Sequence, residues 1–189
     1  MKRSFLAVLL LSALSVSAQP AGGRQTPLKG SFTFSEQTTL AADEGLQQLA
    51  DYAAPYLGCP IERELSGDGC ITLVLDAEGE IPAEGYRLEI TPDHIAIRSS
   101  DYGGAFNGVQ ALFRMLPPEV YAKKGIPAGT ELGCAKIEDA PRFAYRGMML
   151  DVARTWVDTA GVKRYIDFLS YHNINKFHIH LTDDEGWRI

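Results

Sequence analysis

The chain has 189 residues, of which 46% are hydrophobic and 22% charged, so it is expected to build a packed core and wholesale disorder is excluded. Its formal net charge of -6 argues against a nucleic-acid partner, because such proteins usually present a basic face. No P-loop or dinucleotide-binding glycine pattern is present, since Gly103, Gly104 and Gly108 lie within a helical pattern. We therefore predict no cofactor.

Residues 1–18 have the organisation of a secretory signal peptide. A basic pair at positions 2 and 3 precedes an apolar run over residues 5–16, and residues 16–18 offer a cleavage site. The run is shorter than the roughly 20 apolar residues that span a bilayer, which argues against a stable membrane span. We predict export to the periplasm or the extracellular space.

Residues 19–30 contain two prolines and three glycines and are predicted to form a flexible tether. A helix is predicted from Asp43 to a stop at Gly58. Its apolar positions are Leu46, Leu49, Ala50, Ala53, Tyr56 and Leu57.

A small α+β domain is predicted over residues 31–120. Residues 71–75 are typical of a short strand, and residues 86–90 and 95–98 of a hairpin. A second helix follows residue 101 and ends before the prolines at 117 and 118. The simplest arrangement is an antiparallel sheet with both helices on one face.

Residues 121–140 are rich in Gly, Pro and charge and are predicted to be a linker. Beyond them, residues 148–153 and 176–181 are typical of buried strands, separated by a helix that carries Val162, Tyr165, Ile166 and Leu169. A strand, a crossover helix and a second strand predict two parallel strands of an α/β domain over residues 141–189. Such domains place their chemistry at the carboxyl ends of the strands, which here carry Arg154 and Asp183-Asp184.

The three cysteines leave two interpretations open. Cys59 and Cys70 flank a polar segment and could form a disulfide in an exported protein, with Cys134 left over. Three buried, reduced thiols are about as compatible with the sequence, because Cys is often buried.

Two ordered motifs in the last third of the chain, behind the small domain, carry a specific resemblance. They are Arg-Gly-x-x-Leu-Asp-x-x-Arg, ending at Arg154, and His-x-His-Leu-x-Asp-Asp-x-Gly-Trp-Arg, starting at His178. Together with Pro-Arg-Phe at 141–143 they resemble the family 20 glycoside hydrolases, the β-N-acetylhexosaminidases. The resemblance implies a small α+β domain followed by the first strand, helix and strand of an incomplete (β/α)8 TIM barrel. It also implies a glycan partner with terminal N-acetylglucosamine or N-acetylgalactosamine.

The resemblance implies roles for individual residues. Arg154 would bind hydroxyls of the terminal sugar, and a planar guanidinium suits two neighbouring hydroxyls. Asp183 would orient a histidine that supports the catalytic acid, and that histidine is expected beyond residue 189. His180 would belong to the hydrogen-bonded interior of the barrel. Arg146, at the opposite end of the same strand, is predicted to be structural and ion-paired. Trp187 could be a platform for a sugar ring, but the favoured prediction makes it a core residue.

The resemblance also implies what the chain lacks. The family uses an adjacent Asp-Glu pair from a later strand for substrate-assisted hydrolysis. Neither Asp43-Glu44 nor Asp184-Glu185 fits that pair, because the first opens a helix and the second belongs to the second-strand motif. We predict an N-terminal fragment with no catalytic residue of its own, inactive alone.

Two alternatives remain. His178 and His180 share one strand face and could serve a metal-dependent TIM-barrel hydrolase, although the favoured interpretation includes no metal. The small domain could instead be a non-catalytic glycan-binding module. Its aromatic residues Tyr52, Tyr56, Tyr86 and Phe106 fit core positions, so this alternative has little support.

Overall fold

A computed structural model describes residues 23–65, 67–76, 78 and 80–188. The predicted signal peptide and the start of the predicted tether lie outside the described residues. None of the described helices combines the length and apolar character that a membrane crossing requires.

The first part of the chain forms one seven-stranded sheet. Its strands, in sheet order, are β1 (Arg24–Thr33), β7 (Glu131–Asp139), β5 (Tyr86–Ile90), β6 (His94–Ser99), β4 (Cys70–Leu75), β2 (Thr39–Ala42) and β3 (Ile61–Glu62). The neighbouring strands β1, β7, β5 and β6 pair antiparallel, and they include the predicted hairpin. The neighbouring strands β6, β4, β2 and β3 pair parallel.

The sheet is therefore mixed, and the prediction of an antiparallel sheet was wrong for half of it. The reason is the helix α1 (Gln47–Leu57), which carries the chain from the end of β2 back to the start of β4, so that both strands run in the same direction. The hairpin formed by β5 and β6 is antiparallel because a short turn joins its strands.

The predicted tether and linker contain the strands β1 and β7. Residues 24–30 lie in β1, an edge strand, where Pro27 sits next to a register shift and costs no ladder bond in the sheet interior. In β7 the residues Leu132, Cys134 and Ile137 are buried, while charged side chains alternate with them on the open face. Those charges concealed the strand in the sequence. The sheet domain thus runs from β1 through Asp139.

Both helices predicted for this domain are confirmed. The first begins with a short 3-10 turn (Glu44–Leu46), continues as α1, and ends at Gly58, whose φ of 75° is left-handed. The second, α2 (Tyr102–Met115), is capped by Asp101, whose carboxylate accepts from the backbone N–H of Gly104 at 2.7 Å. The rings of Tyr56 and Phe113 stack with centroids 4.8 Å apart, which packs the helices together over the core.

The last part of the chain has the predicted strand, helix and strand. They are β8 (Gly147–Asp151), α3 (Thr159–Tyr171) and β9 (Lys176–His180), and β8 and β9 pair parallel. The first of these strands, β8, is not buried as predicted, because Met148 and Met149 are 43% and 50% exposed. A short hairpin of β10 (Thr182–Asp183) and β11 (Gly186–Trp187) follows. This arrangement brings the carboxyl ends of β8 and β9 to one edge.

Candidate functional site

The predicted site residues meet at the carboxyl ends of β8 and β9. Asp151 and His180 are register partners at the last position of the two strands. Arg154 lies three residues beyond Asp151, and Asp183 lies in β10. This is the end at which (β/α)8 barrels carry their chemistry.

Arg154 is held between two carboxylates through one nitrogen. Its Nε donates to Oδ2 of Asp151 and lies 3.1 Å from Oδ2 of Asp183. The other oxygen of Asp151 accepts from the backbone N–H groups of Ala153 and Arg154, each at 3.0 Å. Asp151 thereby fixes both the main chain and the side chain of Arg154.

The charges of this cluster stabilise one another. Hydrogen bonds, first from the backbone N–H of Arg154 and then from its guanidinium, hold the pKa of Asp151 below its usual value. The hydrogen bond and charge of Asp151, with the charge of Asp183, raise the pKa of Arg154. Arg154 is therefore a fixed positive charge.

The outer nitrogens of Arg154 take no part in these contacts. The side chain is 66% exposed, and among the described residues neither Nη1 nor Nη2 has a hydrogen-bond partner. A guanidinium with Nε engaged and two free Nη groups can donate to two adjacent oxygens of a ligand.

His180 lies beside this cluster. Its Nε2 is 3.3 Å from Oδ2 of Asp183, without the geometry of a hydrogen bond, and that nitrogen is buried without a hydrogen-bond partner among the described residues. The ring of His178 lies on the same strand face with its centroid 6.4 Å from that of His180. Asp183, predicted to orient a histidine from a later strand, here contacts both Arg154 and His180.

Three of these groups have the spacing of metal ligands. One ligand atom from each of Asp151, His180 and Asp183 lies within 4.8 Å of the others, whereas His178 is not in the group. Arg154 contacts both carboxylates of this group. A cation there would meet the repulsion of the guanidinium, so the geometry favours an arginine-centred site over a metal centre.

Sequence reasoning did not single out Asp151 or Arg188. Asp151 could have been found from its place at the end of an apolar strand, three residues before Arg154. The prediction that Trp187 is a core residue was wrong for this chain, because its side chain is 72% exposed on β11. Tyr56 and Tyr86 are buried as predicted, and Tyr52 and Phe106 pack against the core.

A second concave region lies at the other ends of β8 and β9. It is a cleft of about 500 Å³ between the sheet domain and the barrel strands. Its charged lining residues are Glu84, Arg114, Asp139, Arg142 and Arg146. Arg146 forms an ion pair with Glu84, so the ion pair predicted for it is confirmed. The carboxyl-end cluster around Arg154 remains the candidate active site.

Two profiles of one known protein family together match nearly the whole chain. Residues 18–140 match the profile described as glycosyl hydrolase family 20, domain 2, and residues 143–189 match the catalytic domain of the same family. A beta-hexosaminidase of Porphyromonas gingivalis is 33% identical over 168 residues, which cover 84% of this chain and 22% of that protein. An N,N'-diacetylchitobiase of Vibrio harveyi is 39% identical over 121 residues, which cover 63% of this chain and 13% of that protein.

Solved structures agree with these matches. A family 20 beta-N-acetylhexosaminidase from Streptomyces coelicolor superposes with a TM-score of 0.79 and 32% identity over 87% of this chain and 34% of that chain. A mutant beta-hexosaminidase of Streptomyces plicatus in complex with its product GlcNAc superposes with a TM-score of 0.75 and 35% identity over the same shares. The chain thus spans at most about a third of the length of these relatives. With both domain profiles matched in order along its sequence, the chain belongs to glycosyl hydrolase family 20.

Proposed function

We propose that the chain is the N-terminal part of an exported β-N-acetylhexosaminidase. The whole enzyme removes terminal N-acetylglucosamine or N-acetylgalactosamine from glycans by substrate-assisted, retaining hydrolysis. In this proposal the catalytic Asp-Glu pair comes from residues beyond 189, and the chain is inactive alone.

The observation that carries the proposal is the presentation of Arg154. Its Nε is engaged by Asp151 and Asp183, and its exposed side chain, at the carboxyl end of β8, leaves both Nη groups without a hydrogen-bond partner among the described residues. Two parallel N–H donors match two neighbouring hydroxyls of a pyranose, and the fixed guanidinium loses little entropy when they bind. Arg154 is thus the proposed sugar-binding residue of this chain.

Asp183 and His180 would support that residue. Asp183 has one oxygen, Oδ2, close to both Arg154 and His180. It can therefore hold the guanidinium and still accept a hydrogen bond that orients a histidine from a later strand. The names of the relatives, and the GlcNAc product in the Streptomyces plicatus complex, support an N-acetylhexosamine as the bound sugar.

Export is proposed from the sequence of residues 1–18 alone. It is tested by expressing the chain in a bacterium and determining the N-terminus of the product recovered from the cytoplasmic, periplasmic and culture fractions. Processing before Gln19 supports export, and an unprocessed cytoplasmic product contradicts it.

The proposed activity is tested by reading the gene beyond codon 189 and expressing the full reading frame. We expect further strand-helix units that include an Asp-Glu pair at a strand end, and release of chromophore from a para-nitrophenyl N-acetylglucosaminide. The 189-residue chain should release none. Measurable turnover by the short chain, or none by the longer one, contradicts the proposal.

Substitution of Arg154 tests the assigned role. Loss of two hydrogen bonds from a charged donor predicts that Arg154→Ala lowers kcat/KM by about 100-fold in the longer protein. Arg164→Ala, at an exposed position of α3, is the matched control and should leave kcat/KM unchanged. Equal activity of the Arg154→Ala and Arg164→Ala variants would exclude a sugar-binding role for Arg154.

A further inference from the structure

Arg188 contacts the segment that carries Arg154. The hairpin of β10 and β11 is closed by the backbone N–H of Arg188, which donates to the carbonyl of Leu181 at 3.0 Å. The side chain then turns towards the end of β8. Its Nε donates to the carbonyl of Val152 at 3.1 Å, and its Nη2 donates to the carbonyl of Ala153 at 3.3 Å.

These two carbonyls need donors from outside the strand ladder. The pairing of β8 with β9 ends at Asp151 and His180, one residue before Val152. Val152 and Ala153 are only 4% and 3% exposed, and a buried carbonyl without a partner is costly. Arg188 supplies both donors from one guanidinium, through Nε and Nη2.

The hairpin touches the same segment a second time. A Cβ on Gly186 would lie 2.5 Å from the carbonyl oxygen of Ala153, so the backbone of β11 rests directly against the residue before Arg154. Only glycine permits this approach. The contact fixes the distance between β8 and the hairpin that carries Asp183.

Arg188 also reaches the segment after Arg154. Its guanidinium carbon lies 5.3 Å from the ring centroid of Trp156, within the range of a cation-π contact. Arg188 therefore holds residues 152 and 153 on one side of Arg154 and residue 156 on the other.

We propose that Arg188 is a positioning residue for Arg154. By fastening the hairpin to both flanks of Arg154, it keeps Asp183 at Nε of Arg154 and aims the two Nη groups outward. Its consequence for sugar binding rests on the proposed function, but the positioning itself is a property of this chain.

The test follows the Nε–H proton of Arg154 by 15N–1H NMR of arginine side chains in the 189-residue chain. The signal is assigned by its loss in Arg154→Lys. In Arg188→Gln we expect its exchange with solvent to accelerate about tenfold, because the segment that holds Nε–H against Asp151 and beside Asp183 loosens. Arg188→Lys keeps the charge and one donor, so it should be intermediate. Arg164→Gln is the control and should match the parent chain.

A second signal is the fluorescence of Trp156. The chain has two tryptophans, so Trp187→Phe leaves Trp156 as the only one. In that background Arg188→Gln should change the intensity and emission maximum of Trp156, whereas Arg164→Gln should not. If Arg188→Gln fails to fold, Arg188→Lys decides both readouts.

Exchange of the Arg154 Nε–H that stays within about twofold of the parent in a folded Arg188 variant would overturn the positioning role. The result is independent of the sugar. Faster exchange in Arg188→Gln, combined with unchanged turnover of Arg154→Ala in the longer protein, would retain the positioning role and reject the proposed sugar contact.

Discussion

The carboxylate of Glu84 in the sheet domain accepts a hydrogen bond from the guanidinium of Arg146 at the start of β8. Its other oxygen accepts from Nδ2 of Asn175, just before β9, at 2.9 Å. The main chain of Glu84 is itself held, because its N–H donates to Asp101 and its carbonyl accepts from Asn107, each at 2.9 Å. One carboxylate thus fastens the sheet domain to the starts of both barrel strands.

Replacing Glu84 should destabilise the chain measurably. Glu84→Gln removes the negative charge and sets an amide NH2 against one of the two donors, Arg146 or Asn175. We expect a loss of about 1–2 kcal/mol in the free energy of unfolding, since the pair is partly exposed. Urea denaturation measures the change. Glu138→Gln, which removes an exposed pair with Arg87, is the control and should cost at most about 0.5 kcal/mol. Equal losses in the two variants would show that the Glu84 contact adds nothing.

The contribution of Glu84 should depend on pH. Burial alone would raise the pKa of this carboxyl, but the hydrogen bonds from Arg146 and Asn175 and the charge of Arg146 outweigh it and lower the pKa below 4.5. Because the folded-state pKa is depressed, the stabilisation is fully present above pH 4.5 and is lost as the pH falls through the folded-state value. The difference in unfolding temperature between parent and Glu84→Gln should therefore shrink from pH 7 to pH 3. A constant difference would contradict this linkage.

Gly104 should tolerate no side chain. A Cβ there would lie 2.1 Å from the carbonyl oxygen of Gly85, the residue after Glu84, so Gly104→Ala pushes α2 away from the turn that carries Glu84. We expect a loss of about 2 kcal/mol. A Cβ at Gly133 meets no heavy atom within 4 Å, and Gly133→Ala should stay within about 0.5 kcal/mol of the parent. Thermal unfolding of both variants distinguishes the close approach from a general cost of replacing glycine.

Metal ions should not stabilise the site while Arg154 is present. The guanidinium contacts both carboxylates of the Asp151, His180 and Asp183 group, and we expect added Zn²⁺ to shift the unfolding temperature of the parent by less than about 1 °C. Arg154→Ala removes this charge and should gain a zinc-dependent rise that EDTA reverses. A zinc-dependent rise in the parent as large as in Arg154→Ala would revive a metal-dependent role.

The three cysteines should behave as shielded thiols. Cys59, Cys70 and Cys134 are free and buried in the structure, and burial raises the pKa of Cys59 to about 11. In a thiol-reagent assay we expect slow reaction in the native chain and three rapid equivalents in urea without reductant. One equivalent in urea would indicate a disulfide, with the flanking pair Cys59 and Cys70 as the first candidates.

Local sequence patterns were sufficient for the helices and for some of the strands of the core. Apolar residues at helical spacing predicted α1 and α2, and alternation around a tight turn predicted the hairpin of β5 and β6. The apolar strands flanking a helix predicted β8, α3 and β9. These signals are local because the buried face of an element follows its own periodicity.

The sequence by itself therefore determined the helices α1 and α2, the strand β4, the hairpin of β5 and β6, the strand-helix-strand unit and the motifs that identify the family. Only the tertiary structure decided that β1 and β7 complete the sheet, because an exposed edge strand and a strand with charges on its open face carry weak patterns. It also decided which groups surround Arg154. Asp183 and Arg188 reach the segment around Arg154 from a distant part of the chain, since the guanidinium of Arg188 donates to the carbonyls of Val152 and Ala153, and Asp183 lies beside Nε of Arg154. Contacts between distant segments leave no local periodicity in the sequence, and for that reason only the tertiary structure could reveal them.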